Sequence, residues 1–268
     1  MDVIAWLVLV AALALGVPGA LYLAQDGMLF QPPPGPARPP PARAGRAVEG
    51  LSVEAGDGVT VRGWLVRAAR APAPLLVYFG GNAEEISRQA AEPWPEAWSL
   101  ALVNYRGYGQ SDGKPSEQAL CADAERVFDA LAARPDVDRA RIVLVGRSLG
   151  SGVAVHLASR RRVAGVVLVA PFDSMVAIGA RHYPFLPVRW LLKHPFDSLA
   201  RAPAIGVPLL ALVGERDAIV PPEHSRRLFA AWAGPKRWVG IPGAGHNDLG
   251  AQEEYWRAIG TFLAERAL

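Results

Sequence analysis

The sequence predicts an α/β protein: a mostly parallel central sheet with helices on both faces, a short cap insertion and an N-terminal transmembrane helix. Three observations carry this. From residue 75 onward, continuous apolar runs of strand length alternate with helical segments, as expected of parallel strands buried on both faces. One connection, 171–208, is far longer than the rest, and long loops in compact domains usually serve a function. No charged residue occurs from Val3 to Ala24, close to the roughly 20 apolar residues that a membrane-crossing helix needs.

Residues 1–28 read as an uncleaved single-pass membrane anchor. A cleaved signal peptide is the rival reading, but only Met1 and Asp2 precede the apolar run, with no basic n-region. Pro18 and Gly19 are tolerable in a membrane helix, and Tyr22 suits an interface. The nearest basic residues, Arg38, Arg43 and Arg46, follow the span, which leans towards a cytoplasmic position for the globular domain. A linker at 29–47 holds Pro32-Pro33-Pro34-Gly35-Pro36 and Pro39-Pro40-Pro41. Such a segment favours extended polyproline II, a semi-rigid spacer rising about 3.1 Å per residue.

The α/β domain covers 48–268. Runs at 51–55 and 59–66 flank Gly56-Asp57-Gly58, and Asp-Gly between alternating runs reads as a β-hairpin. Fully apolar strands follow at 75–79, 100–104, 142–145, 166–169, 209–213 and 238–241, with helices at 84–91, 116–133, 149–159, 223–233 and 252–265. The cap at 171–208 interleaves aromatic residues such as Tyr183, Phe185 and Trp190 with Arg181, His182, Arg189, Lys193 and His194. The net charge of +3 is small, and the arginines are scattered, so nothing points to nucleic acid. A single cysteine, Cys121, excludes an internal disulfide. No His-Glu-x-x-His or cysteine pair occurs, so no metal is expected, and no cofactor.

The strand at 142–145 breaks into Gly146-Arg147-Ser148-Leu149-Gly150 and resumes as a small-residue helix. Gly-x-Ser-x-Gly in that context is a sharp turn that lifts a serine clear of the sheet as a nucleophile. A serine hydroxyl needs an adjacent base, and the base needs a group to fix its tautomer. In open α/β sheets such groups sit beyond the carboxyl ends of strands. The strand at 209–213 runs into Gly214-Glu215-Arg216-Asp217, and the strand at 238–241 into Gly243-Ala244-Gly245-His246. Asp217 is preferred as the acid because 218–222 can wall it off, with Glu215 as competitor. His246 alone among the histidines follows a late strand on a glycine-rich loop; His156 reads as packed, and His182, His194 and His224 as solvated. Backbone donors for an oxyanion are expected from Leu149 and from Asn82 in Gly80-Gly81-Asn82-Ala83, where glycines let the chain approach. The segment 104–109 lacks the third glycine of a dinucleotide loop and is expected to shape the pocket floor.

With these motifs in order, the chain resembles a membrane-anchored α/β-hydrolase of the serine hydrolase group that includes acyl-protein depalmitoylases and lysophospholipases. The likeness rests on Gly-Gly-Asn-Ala at 80–83, Asn-Tyr-Arg-Gly-Tyr-Gly at 104–109, Gly-Arg-Ser-Leu-Gly at 146–150, Gly-Glu-Arg-Asp at 214–217 and Gly-Ala-Gly-His at 243–246. It implies a cofactor-free hydrolysis of carboxylic esters or thioesters of small molecules or acylated lipids by Ser148, His246 and Asp217. An aminopeptidase or amidase with the same three residues, and a non-catalytic membrane-tethered binding module, are the alternatives. One departure stands out: relatives carry histidine where this chain has Gly80, so a side chain that could brace the donor loop is missing.

Overall fold

The computed structural model describes residues 3–36 and 38–266, and within the first helix the side chains at 4–5 and 7–15 lie outside the described residues. In chain order the elements are α1 (Val3–Leu29), β1 (Val48–Glu54), β2 (Thr60–Val66), β3 (Ala73–Phe79), β4 (Ser99–Val103), α2 (Glu117–Ala132), β5 (Val137–Arg147) and α3 (Leu149–Arg160). There follow β6 (Gly165–Val169), the cap helices α4 (Met175–His182), α5 (Val188–Leu191) and α6 (Ser198–Arg201), then β7 (Leu209–Gly214), α7 (Pro222–Ala231), β8 (Lys236–Ile241) and α8 (Glu253–Ala264).

The strands form one eight-stranded sheet in the order β1-β2-β4-β3-β5-β6-β7-β8. The hairpin strands β1 and β2 are antiparallel, and β2 meets β4 antiparallel; every later neighbour pair is parallel. Strands β3, β4, β6 and β7 are buried at every position, which is why they read as unbroken apolar runs. Side chains still alternate between two cores. Leu75, Val77 and Phe79 join Leu144 and Leu168 beneath α2 and α3, whereas Leu76 and Tyr78 join Val143 and Val145 on the α8 face.

Helix α3 lies unusually close to the sheet. A Cβ on Gly150 would stand 2.1 Å from the Phe79 carbonyl oxygen, and one on Gly146 would stand 2.5 Å from the Gly150 carbonyl oxygen. These two glycines set how tightly the turn between β5 and α3 can be drawn against β3.

Three expectations need correction. The helix expected at 84–91 is a 3-10 helix, Ile86–Ala91, because the Glu84 carboxylate turns back to accept from the Gly81 N–H instead of opening an α-helix. The linker does not stand off as a spacer at its start. Phe30 is buried, the Gly109 N–H donates to the Pro33 carbonyl at 3.1 Å, and Gln110 Nε2 donates to the Gly35 carbonyl. The third concerns the transmembrane helix expected over 1–28. Residues Val3–Leu29 are helical, yet among the described residues no helix is long and apolar enough to cross a membrane. Much of the apolar run falls at 4–5 and 7–15, outside the described side chains. The last turns of α1 instead carry polar groups that bond the cap: Gln25 Nε2 donates to the Leu191 carbonyl, and Asp26 pairs with Lys193.

The close approach of α3 to β3 makes Gly150→Ala a test of the packing. Overpacking of this kind costs about 1–3 kcal/mol, so thermal denaturation should show a midpoint lowered by roughly 2–10 °C.

Candidate active site

Ser148 sits between β5 and α3 with φ 50° and ψ −117°, a conformation that side-chain-bearing residues rarely adopt. Its surroundings hold it there. The Ser148 N–H donates to the Val169 carbonyl at 2.9 Å, and the Ser148 carbonyl accepts from both the N–H and the hydroxyl of Ser151. The hydroxyl of Ser148 therefore projects from the end of a strand at the amino terminus of a helix.

Two later strands deliver its partners. His246 follows β8 and places Nε2 2.9 Å from Ser148 Oγ; Asp217 follows β7 and places Oδ2 2.7 Å from His246 Nδ1. The other Asp217 oxygen accepts from the N–H groups of Ile219 and Val220 at 2.9 and 2.8 Å. The segment expected to wall off Asp217 thus supplies its backbone donors. The Asp217 side chain has no exposed surface and that of His246 has 8 %. An ionised carboxylate can only accept, so Nδ1 carries the proton and Nε2 turns a lone pair towards the serine hydroxyl. Glu215, the competing acid, is exposed.

The donor loop lies alongside. A Cβ on Gly81 would come 3.5 Å from Ser148 Cβ, and Ala83 takes a positive φ of 54° to turn the chain. Neither the Asn82 N–H nor the Leu149 N–H finds an acceptor among the described residues. The Asn82 side chain is held from two sides, its Oδ1 accepting from the Gln31 N–H at 2.8 Å and the Tyr108 hydroxyl at 3.2 Å.

Sequence reasoning missed the groups that brace this loop. Glu84 accepts from the Gly81 N–H at 2.7 Å, the Tyr78 hydroxyl at 2.6 Å, Gln89 Nε2 at 3.0 Å and Arg147 Nη1 at 3.1 Å. Arg147 spends its other nitrogen on the far side, donating to Asn247 Oδ1 at 2.9 Å and the His246 carbonyl at 3.3 Å. Burial works against the Arg147 charge, but the Glu84 carboxylate outweighs it and holds the guanidinium pKa above its ordinary value. Gly80 is held through its main chain, since the Tyr105 hydroxyl donates to the Gly80 carbonyl at 2.7 Å. Burial raises the pKa of Tyr78 and Tyr105 well above the usual phenol value and lifts Tyr108 to about 12, so all three remain donors. The only signals in the sequence were an arginine inside the serine turn and a glutamate three residues after Gly81.

The remaining histidines are engaged elsewhere. His156 Nε2 lies 2.9 Å from Glu125, and His182 Nε2–H donates to the Ile219 carbonyl. His224 and His194 are buried rather than solvated, because each meets a carboxylate, Asp173 at 2.8 Å and Asp26 at 3.0 Å respectively. Among the described residues no group of three or more His, Cys, Asp or Glu could hold a metal ion.

A family model described as serine hydrolase matches residues 87–265. An uncharacterized protein of Mycobacterium tuberculosis is 39% identical over 266 residues, covering 97% of this chain and 94% of that one. An uncharacterized membrane protein of Saccharomyces cerevisiae is 36% identical over 174 residues, covering 63% of this chain and 61% of the yeast protein. Among solved structures, the α/β hydrolase GrgF from Penicillium superposes with a TM-score of 0.69 at 19% identity, covering 82% of this chain and 99% of GrgF. The identity to GrgF speaks to fold alone. On the family match and the relative of nearly equal length, the chain belongs to the serine hydrolase family, carried on an α/β-hydrolase fold.

Proposed function

We propose that the protein hydrolyses carboxylic esters or thioesters through Ser148, His246 and Asp217. The observation that supports this best is the unbroken hydrogen-bonded line from Ser148 Oγ through the imidazole to the buried Asp217 carboxylate. Such a line raises the nucleophilicity of a hydroxyl only where it is exposed to a carbonyl, and Ser148 is partly exposed.

In the first half-reaction Ser148 Oγ attacks the acyl carbon as His246 Nε2 takes its proton. The carbonyl oxygen becomes an oxyanion facing the N–H groups of Asn82 and Leu149, the latter at the positive end of the α3 dipole. As the intermediate collapses, the bond to the leaving oxygen or sulfur breaks, and His246 returns the proton to that atom. Water then attacks the acyl-serine by the same route, giving the acid and free Ser148. Asp217 stays ionised throughout and stabilises the imidazolium that forms twice per cycle.

The resemblance to depalmitoylases and lysophospholipases favours an acyl chain on the substrate, met beside a lipid surface. The cap supports that placement with two exposed aromatics, Phe185 at 75 % and Trp190 at 84 %, the kind of side chain that partitions into a membrane interface. The yeast relative is named as a membrane protein.

In this reading Arg147 is a positioning residue. It touches no reacting atom, but it fixes the donor loop through Glu84 and the base loop through the His246 carbonyl.

A fluorophosphonate probe should label the wild-type protein and leave Ser148→Ala unlabelled; equal resistance of both proteins would remove the nucleophile from the account. Asp217→Asn should lower kcat by about 10⁴-fold on a p-nitrophenyl ester. For Arg147→Gln, a displacement of the loops on the order of 1 Å should cost roughly 10²-fold in kcat, with a far smaller change in KM. Glu84→Gln added to Arg147→Gln should then cost little more, because both break one joint.

A further inference from the structure

Away from the reacting groups, the last turns of α1 and the cap helices α4 and α5 line a half-open cavity of about 210 Å³. Leu21 and Leu29 of α1 face Met175, Ile178, Leu186 and Leu192 of the cap across it, and no Asp, Glu, Lys or Arg lines it. Gln25 also borders it, but its amide is spent within the wall: Nε2 donates to the Tyr22 and Leu191 carbonyls and Oε1 accepts from the Lys193 N–H. What the cavity offers a ligand is hydrocarbon surface.

The wall formed by α1 is fastened on. Asp26 pairs with Lys193 at 3.3 Å and with His194 at 3.0 Å, and the Phe30 ring packs edge-on against His194 at 5.0 Å. The Glu117 N–H donates to His194 Nδ1, so His194 carries its proton on Nε2 and donates it to Asp26. Two further contacts tie the cavity to the reacting groups. Gln31, two residues past Leu29, donates its N–H to Asn82 in the donor loop. His182, on the cap wall, donates to the carbonyl of Ile219, two residues past Asp217.

We propose that this cavity binds the hydrocarbon chain of an acyl substrate whose carbonyl lies at Ser148, and that α1 and α4 together set the chain length accepted. The proposal rests on the ester or thioester hydrolase reading above. An acyl chain needs apolar surface with no unpaired polar group, and this cavity offers it, with one wall leading through Gln31 to Asn82 and the other through His182 to the segment after Asp217. The N-terminal helix is then part of the substrate site, and its loss would remove one of the two walls that hold the chain.

The test uses the full-length protein with p-nitrophenyl acetate and octanoate, both kept as monomers so that selectivity reads the cavity rather than adsorption to micelles. Filling the cavity from either wall, by Leu21→Trp or Ile178→Trp, should lower the octanoate-to-acetate ratio of kcat/KM by about tenfold or more. A ratio that stays at the wild-type value, or two esters that lose rate equally, would overturn the proposal. Fluorescence titration of Ser148→Ala with cis-parinaric acid reads the chain site without chemistry, and adding Ile178→Trp should abolish that binding. If the probe binds in this way while the wild-type protein cleaves neither ester, the hydrolase reading fails and the cavity assignment survives. If the esters are cleaved but the probe does not bind, the cavity assignment fails alone.

Discussion

A partly buried ion pair between Glu84 and Arg147 is the joint from which three loops hang. The side chains are only 12 % and 19 % exposed, so each charge would be poorly solvated without the other, and each also bonds a neighbour that needs it. Glu84 reaches the donor loop after β3, Arg147 belongs to the end of β5, and its guanidinium reaches the loop after β8. The planar fork of an arginine suits this task, since it can serve two carbonyl-type acceptors and a carboxylate in fixed directions. A lysine would supply the charge without the fork. The pair therefore converts the parallel register of the strands, which brings their ends near one another, into fixed distances between side chains.

Strain and packing at Ser148 belong to the same design. The positive φ of Ser148 is unfavourable on its own and persists because the Ser151 hydroxyl and N–H, the Val169 carbonyl and the contact of α3 with β3 all oppose relaxation. Gly146 and Gly150 permit that contact; any larger residue would lift α3 off the sheet and carry Ser148 away from His246. The elbow is thus tight for a packing reason before it is useful for a chemical one.

Much of this was legible in the sequence. The apolar runs at 75–79, 166–169 and 209–213 became β3, β6 and β7 nearly to the residue, because strands buried on both faces admit no polar interruption. The juxtaposition of Ser148, Asp217 and His246 followed from their places just after the carboxyl ends of β5, β7 and β8 in a parallel sheet. What could not be read were interactions that join distant segments through ordinary polar residues. Glu84 and Arg147 are 63 positions apart and carry no local pattern. His224 looked like a solvated histidine until the fold closed it against Asp173, 51 positions away, in one buried contact. The proline-rich segment misled in a different way. Its composition predicts an extended chain but says nothing of what such a chain lies against.

With glycine at position 80, the 80–83 loop has no side chain of its own there to brace it. A Cβ on Gly80 would come 2.7 Å from the Ile86 side chain, so a larger residue there would force Ile86 to shift. The loop is instead gripped through its main chain. Tyr105 holds the Gly80 carbonyl, Glu84 holds the Gly81 N–H, and Tyr108 with Gln31 holds the Asn82 side chain. Each of these bonds uses up a group that could otherwise rotate the peptide planes, and none uses the N–H of Asn82. Rigidity of the 80–83 loop is then a property of the backbone's neighbours rather than of one braced side chain. Because Gln31 is among those neighbours and lies two residues past Leu29, the segment leading out of α1 both holds the 80–83 loop and continues from a wall of the apolar cavity.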